Sequence, residues 1–173
     1  MRAALFFLSM IELNLRQEDA KLAFLAIAYH LGRPGSELDP LTKQPVEHGL
    51  AEVAQELQPQ LRMAVSKLNL NENQVKRLQS GMLGSITELK AYSMLQPHMT
   101  SDGSERRSTV PGFDRSLLHL FPEIEQEPEA SLEIAERMLM LKRRFDESVR
   151  DMPPDEPGAP KASQRKGWWP FRR

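Results

Sequence analysis

Two apolar stripes with helical spacing occupy the middle of this sequence and restrict its fold more than any other feature. Along residues 46–68, apolar residues recur at intervals of three or four, and a second series extends from Val75 to Leu89. Such spacing gives a helix one apolar face, which must be buried against another element. Gly81 and Gly84 interrupt the second series, where each weakens a helix by about 1 kcal/mol relative to alanine and marks either a bend or a close helix contact. The first series is Val46, Leu50, Val53, Leu57, Leu61, Ala64 and Leu68, and the second is Val75, Leu78, Met82, Ile86 and Leu89.

The N-terminal part of the chain is predicted to supply the centre of the core. Residues 1–13 and 17–31 are expected to form two helices, or one long helix with a polar middle. Asn14 is placed to cap the second, with Gln17 three residues later as in a capping box. Residues 22–31 are apolar on all sides, which is typical of a helix that is buried on all sides.

The remaining segments complete the fold prediction. Residues 113–121 and residues from about 129 to 150 are expected to be helices, whereas the polar residues 96–112 indicate an exposed loop. No segment shows the alternation of a strand convincingly. We therefore predict an all-α fold in which residues 1–150 form one irregular bundle of about five helices. Residues 151–173 are predicted to be a disordered, proline-rich linker and a basic-aromatic tail.

The junction between the stripes, residues 61–78, carries residue types at the offsets of a helix-turn-helix. Ala64 is the small residue inside the first helix, and Asn71 is the N-cap of the second. This pattern resembles the helix-turn-helix of bacterial repressors, except that Asn69 stands where that pattern usually has glycine. An ordinary helical hairpin with an asparagine cap gives the same pattern, so both alternatives stay open. The resemblance implies that the second helix contacts DNA through Asn73, Gln74, Lys76 and Arg77.

Residues 161–173 have the most unusual composition in the chain, with five cations, no acids and three aromatic rings. The terminal WWPF–Arg sequence resembles the Trp/Pro-rich cathelicidin-type membrane peptides in composition. Aromatic rings favour the headgroup region and cations favour anionic lipid, but the same side chains also suit a partner protein, or packing back onto the domain. The residues predicted to bind a partner or a membrane are Lys166, Trp168, Trp169, Phe171, Arg172 and Arg173.

Composition limits the other classes of function. A formal net charge of −1 gives no global attraction to nucleic acid or to anionic membranes, so such contacts require a local patch. The chain has no cysteine, which excludes disulfides, thiolate metal sites and cysteine nucleophiles. The histidines show no catalytic or metal-binding spacing, and His48 and Glu52 are expected to be an exposed pair one helical turn apart. We therefore expect a non-enzymatic protein without cofactor or metal.

The apolar run at residues 3–11 imitates the start of a secretory signal, but no small-x-small cleavage site follows it before Arg16 and Glu18. The next apolar run is half of the roughly 20 residues needed to cross a bilayer. We therefore expect a cytoplasmic protein that can approach the inner membrane surface.

The predicted function is a helical interaction or adaptor protein that docks on a partner protein or an anionic membrane through its tail. The alternative is a DNA-binding regulator that uses residues 61–78.

Overall fold

The computed structural model describes residues 10–151, and this part of the chain is mostly helical but not purely α. Five α-helices are accompanied by two antiparallel sheets of two strands each. The predicted linker and tail beyond residue 151 lie outside the described residues. In chain order the elements are β1 (Ile11–Arg16), α1 (Gln17–Gly32), α2 (Leu50–Leu57), β2 (Val65–Leu70), α3 (Glu72–Tyr92), β3 (His98–Met99), β4 (Glu105–Arg106), α4 (Phe113–Leu120) and α5 (Ser131–Arg150).

An antiparallel sheet occupies two segments in which helices were predicted. Strands β1 and β2 pair from Ile11 opposite Leu70 to Arg16 opposite Val65. Every second residue of each strand is buried, and the residues between them are exposed, which is the period of a strand with one face on the core. The all-α prediction is therefore wrong at these two segments. The buried residues are Ile11, Leu13, Leu15, Ser66, Leu68 and Leu70.

The stripe along residues 46–68 is not one helix. Helix α2 ends at Leu57, and Pro59 lies in a 3₁₀ turn, Gln58–Gln60, that leads the chain out of the helix. Proline has no N–H to donate and its ring clashes with the preceding turn, so a continuous helix is unfavourable there. The chain then enters β2, where the N–H of Gln17 donates to the carbonyl of Ala64 and joins the starts of α1 and β2.

Helix α1 lies at the centre of the core, as the sequence predicts. It packs against all four other α-helices and against β1. The predicted cap is wrong, because Asn14 lies exposed in β1 and Arg16 occupies the N-cap position. The buried residues of α1 are Ala20, Leu22, Ala23, Leu25, Ala26, Ile27 and His30.

Two glycines allow α3 to lie directly against α1. A Cβ atom at Gly81 would stand 2.6 Å from the carbonyl oxygen of Ala26, and one at Gly84 would overlap the ring of Tyr29. The structure therefore shows a close helix contact at these positions. The Tyr29 ring in turn meets Phe113 of α4 edge to face, with 5.7 Å between the ring centroids.

The last two helices match the sequence prediction closely. Helix α4 covers all but the last of its predicted residues, and α5 starts within two residues of its expected start and ends at Arg150. The predicted exposed loop before α4 contains the short β3–β4 hairpin, in which His98 pairs with Arg106. The buried stripe of α5 includes Ile134, Met138, Leu141 and Phe145, spaced by three or four residues.

Candidate functional site

Residues 61–78 form a strand followed by a helix, so the predicted helix before the turn is wrong. Asn71 is nevertheless the N-cap of α3, as predicted. Its side chain accepts from the backbone N–H of Gln74, and the Gln74 side chain accepts from the N–H of Asn71, each over 2.9 Å. This reciprocal capping box fixes where the helix begins. The cap signal was correct, but the element before it was not.

The four side chains assigned to DNA contact do not share one exposed surface. Gln74 is buried as part of the cap. Arg77 is mostly covered, and its guanidinium lies 3.4 Å from the carboxylate of Glu37. Asn73 and Lys76 are exposed. Two of the four residues thus stabilise the fold, which removes the structural basis of the helix-turn-helix interpretation.

A charged cluster that the sequence analysis missed joins α1, α3 and the loop between α1 and α2. Oε1 of Glu37 lies 2.9 Å from Nε2 of His30, and its carboxylate also pairs with Arg77. The other carboxylate oxygen occupies the space beside Gly49, where a side chain would overlap it. Burial lowers the pKa of His30, although the hydrogen bond to Glu37 acts in the opposite direction. The cluster anchors this loop to both helices.

A buried carboxylate, that of Asp114, holds the segment that precedes α4. Its Oδ2 accepts from the backbone N–H of Arg107 over 3.2 Å and from that of Ser108 over 2.9 Å. Burial, and then the neighbouring Asp114 carboxylate, raise the pKa of Tyr92, so the phenol stays protonated. We therefore assign this group a structural role.

An open cleft of about 600 Å³ lies between the start of α1, the 3₁₀ turn after α2 and the end of α4. We call it the basic cleft, because cationic side chains line it and no carboxylate among the described residues does. Three chain segments that are distant in sequence build it, so no local motif could have indicated it. Its polar lining is Lys21, Arg62, His119, Gln17 and Gln58, and its apolar lining is Phe24, Leu61, Leu120, Pro59 and Pro122.

The cations of the basic cleft differ in how far they are neutralised. Lys21 pairs with Glu18 over 2.9 Å, and Glu18 also accepts from Arg137 over 2.7 Å. The hydrogen bonds from Lys21 and Arg137 lower the pKa of Glu18. Within residues 10–151, Arg62 and His119 have no ion pair or hydrogen bond. Arg62 is therefore the unpaired cation of the cleft, and the His119 ring offers nitrogen atoms for a further hydrogen bond.

The other groups singled out in the sequence lie on the surface or outside the described residues. His48 and Glu52 form an exposed pair with 3.0 Å between Nδ1 and Oε2, as expected. The described part also contains an acidic run at residues 123–129, which forms 3₁₀ turns and a connection and whose four glutamates are exposed. Across residues 10–151, no cluster of histidine and acidic side chains has the arrangement of a metal site. The predicted tail residues, from Lys166 to Arg173, lie beyond the described part.

None of the helices within residues 10–151 combines the length and the apolar character needed to cross a membrane. Comparison with known proteins adds no family: no family model, no curated protein and no solved structure matches this chain. Functional inference therefore depends on the residues and on their geometry.

Proposed function

We propose that the protein is a non-enzymatic adaptor that docks on a partner protein or an anionic membrane surface through residues 161–173. The composition of this segment carries the proposal, because five cations without a single acid are combined with three aromatic rings. Clustered aromatic rings are unfavourable in water, and unbalanced cations favour an anionic surface. The residues assigned to the contact are Lys166, Trp168, Trp169, Phe171, Arg172 and Arg173.

The folded part of the chain supports separate roles for body and tail. Its buried apolar residues, between Ile11 and Phe145, belong to one cluster to which all five α-helices contribute. The proposal treats residues 152–160, which contain four prolines, as an extended spacer between this body and the docking segment. It also retains the expected cytoplasmic location, with access to the inner membrane surface.

Vesicle co-sedimentation tests the membrane contact. Full-length protein is expected to sediment with vesicles that contain phosphatidylserine and to stay in solution with phosphatidylcholine alone. Trp168→Ala combined with Trp169→Ala is expected to reduce binding, because the rings supply interfacial burial. The control is Leu41→Ala combined with Met94→Ala, which removes two large apolar side chains that are exposed on the body, and it is expected to leave binding unchanged.

Shuffling residues 165–173 separates a lipid contact from a protein contact. Interfacial partitioning depends mainly on composition, so vesicle binding should survive the shuffle. A pocket in a partner protein would recognise the order of Trp168, Trp169 and Phe171, and binding there should be lost. Deletion of residues 161–173 should abolish either contact without changing helix content measured by circular dichroism. A deletion variant that unfolds would contradict the proposal, because the tail would then belong to the core.

DNA recognition by residues 61–78 is not retained as a second proposal, because no structural observation favours it. A strand stands where the first helix was expected. Gln74 and Arg77 are used within the fold, and Glu72 lies exposed at the start of α3, where it would repel phosphate.

A further inference from the structure

The basic cleft has the charge of a site for an anionic ligand. Lys21, Arg62 and His119 line it, and no described carboxylate does. Arg62 makes no ion pair within the described chain, so it can pair with an incoming carboxylate, and the His119 ring can hydrogen-bond to the same ligand, without breaking an existing contact. Electrostatic complementarity of this kind selects partners by the sign of their charge.

The lining of the cleft also suits a peptide segment better than a small inorganic anion. Phe24 and Leu61, which are partly exposed, supply apolar surface that a small inorganic ion would leave in contact with water. Gln17 and Gln58 each carry an amide that can both donate to and accept from a peptide backbone. The volume of about 600 Å³ lies within the usual range for a ligand site and suits a short segment better than a whole helix.

We propose that the basic cleft binds a short acidic segment of a partner protein in an extended conformation, with one apolar side chain against Phe24 and Leu61. A bilayer surface cannot enter a concave cleft, which argues against lipid as the occupant. This site is separate from the proposed tail contact and selects the opposite charge.

Fluorescence anisotropy with labelled synthetic peptides tests the proposal on the full-length protein. The acidic peptide EELFEE is expected to bind, whereas QQLFQQ and KKLFKK should bind at least about tenfold more weakly. The peptide EEGSEE has the same charge but no large apolar side chain. It should also bind more weakly, because it leaves the apolar side chains of the cleft in contact with water. Equal binding of EELFEE and EEGSEE would overturn the proposed contact between an apolar ligand side chain and the apolar lining of the cleft.

Charge reversal locates the binding site. Arg62→Glu is expected to weaken EELFEE binding by about tenfold, because an attraction is replaced by a repulsion. Arg115→Glu is the matched control, since Arg115 is exposed on α4 but does not line the cleft, and it should leave binding unchanged. If Arg62→Glu has no effect while circular dichroism shows an intact fold, the peptide binds elsewhere, for example on the basic tail, and the proposal is wrong.

The same assay distinguishes a partner segment from a segment of this chain. Residues 152–160 contain Asp155 and Glu156, and they would compete for the cleft if they were its natural occupant. Asp155→Asn combined with Glu156→Gln should leave EELFEE affinity unchanged if the occupant comes from a partner. An affinity increase of about tenfold would instead identify an internal occupant and overturn the partner assignment. Neither outcome depends on whether the tail binds membranes.

Discussion

The carboxylate of Glu37 approaches the imidazole of His30 to 2.9 Å and thereby ties a surface loop to the central helix. His30 is buried on α1, and Glu37 lies beyond the turn that ends this helix. The same carboxylate pairs with Arg77 of α3 at 3.4 Å. Loss of Glu37 would leave both basic side chains without this partner in a partly dehydrated site. Glu37→Ala should therefore lower the free energy of unfolding by about 1–3 kcal/mol in urea denaturation.

We also expect His30 to make stability depend on pH. Burial lowers its pKa from the usual 6.5, so the unfolded chain binds more protons than the folded chain just below that value. The contribution of His30 is therefore fully present above pH 6.5 and is lost as the pH falls toward its lower folded pKa. His30→Gln should reduce this acid sensitivity in urea denaturation between pH 8 and pH 5, whereas His98→Gln at an exposed position should preserve it. Parallel pH profiles for parent and His30→Gln would contradict the expectation.

Gly81→Ala tests the close packing of α1 and α3. Alanine favours a helix by about 1 kcal/mol over glycine, so the substitution would stabilise an uncrowded helix. Here the new methyl group would stand 2.6 Å from the carbonyl oxygen of Ala26, and backbone cannot yield as a flexible side chain can. We expect a net destabilisation of about 1–3 kcal/mol in thermal denaturation. Ser80→Ala, on the exposed side of the same helix, should change stability little, and a stabilised Gly81→Ala protein would show that the helices are not in this contact.

Because α1 lies at the centre of the core, a charged residue introduced into it should strongly destabilise the fold. Leu25 is 0% exposed, so aspartate at this position would bury an unpaired carboxylate. Leu25→Asp should unfold the domain, with loss of the cooperative thermal transition measured by circular dichroism. Leu41, which is 90% exposed, provides the matched control, and Leu41→Asp should leave the transition in place. Equal melting of the two variants would remove α1 from the core.

Sequence patterns predicted a helix correctly where its own residues carry the signal, such as an apolar stripe or an N-cap. The apolar stripe of α5 and the Asn71 cap of α3 required no knowledge of distant segments. The β1–β2 sheet was missed because Leu68 satisfies two periods at once. It continues the helical series from Leu61 and Ala64, and it also belongs to the period of two in Ser66, Leu68 and Leu70. Pairing with β1 makes this segment a strand, and β1 lies far from it in the sequence, before α1.

The basic cleft could not be predicted at all, for a related reason. Its basic side chains come from α1, from the turn before β2 and from α4, and no two of them are neighbours in the sequence. Only the packing of these elements brings Lys21, Arg62 and His119 together. The charged cluster of His30, Glu37 and Arg77 has a similar origin, because packing brings Arg77 of α3 to a carboxylate that lies 40 residues earlier in the chain.

An engineered disulfide between positions 14 and 67 would test the pairing of β1 with β2 directly. These residues are opposite each other in β1 and β2. The side chain of Gln60 accepts from the N–H of Lys67 over 2.8 Å and donates to its carbonyl over 3.1 Å, so both backbone groups point away from β1. The two residues therefore form a non-hydrogen-bonded pair, in which the Cα atoms are about 4.5 Å apart and within reach of a disulfide. Because the natural chain has no cysteine, Asn14→Cys with Lys67→Cys should oxidise cleanly to a crosslinked monomer, detected by mass spectrometry, and gain up to about 4 kcal/mol of stability. The offset pair Asn14→Cys with Asn69→Cys should crosslink poorly, and the opposite order of efficiency would show that the register, or the sheet itself, is wrong.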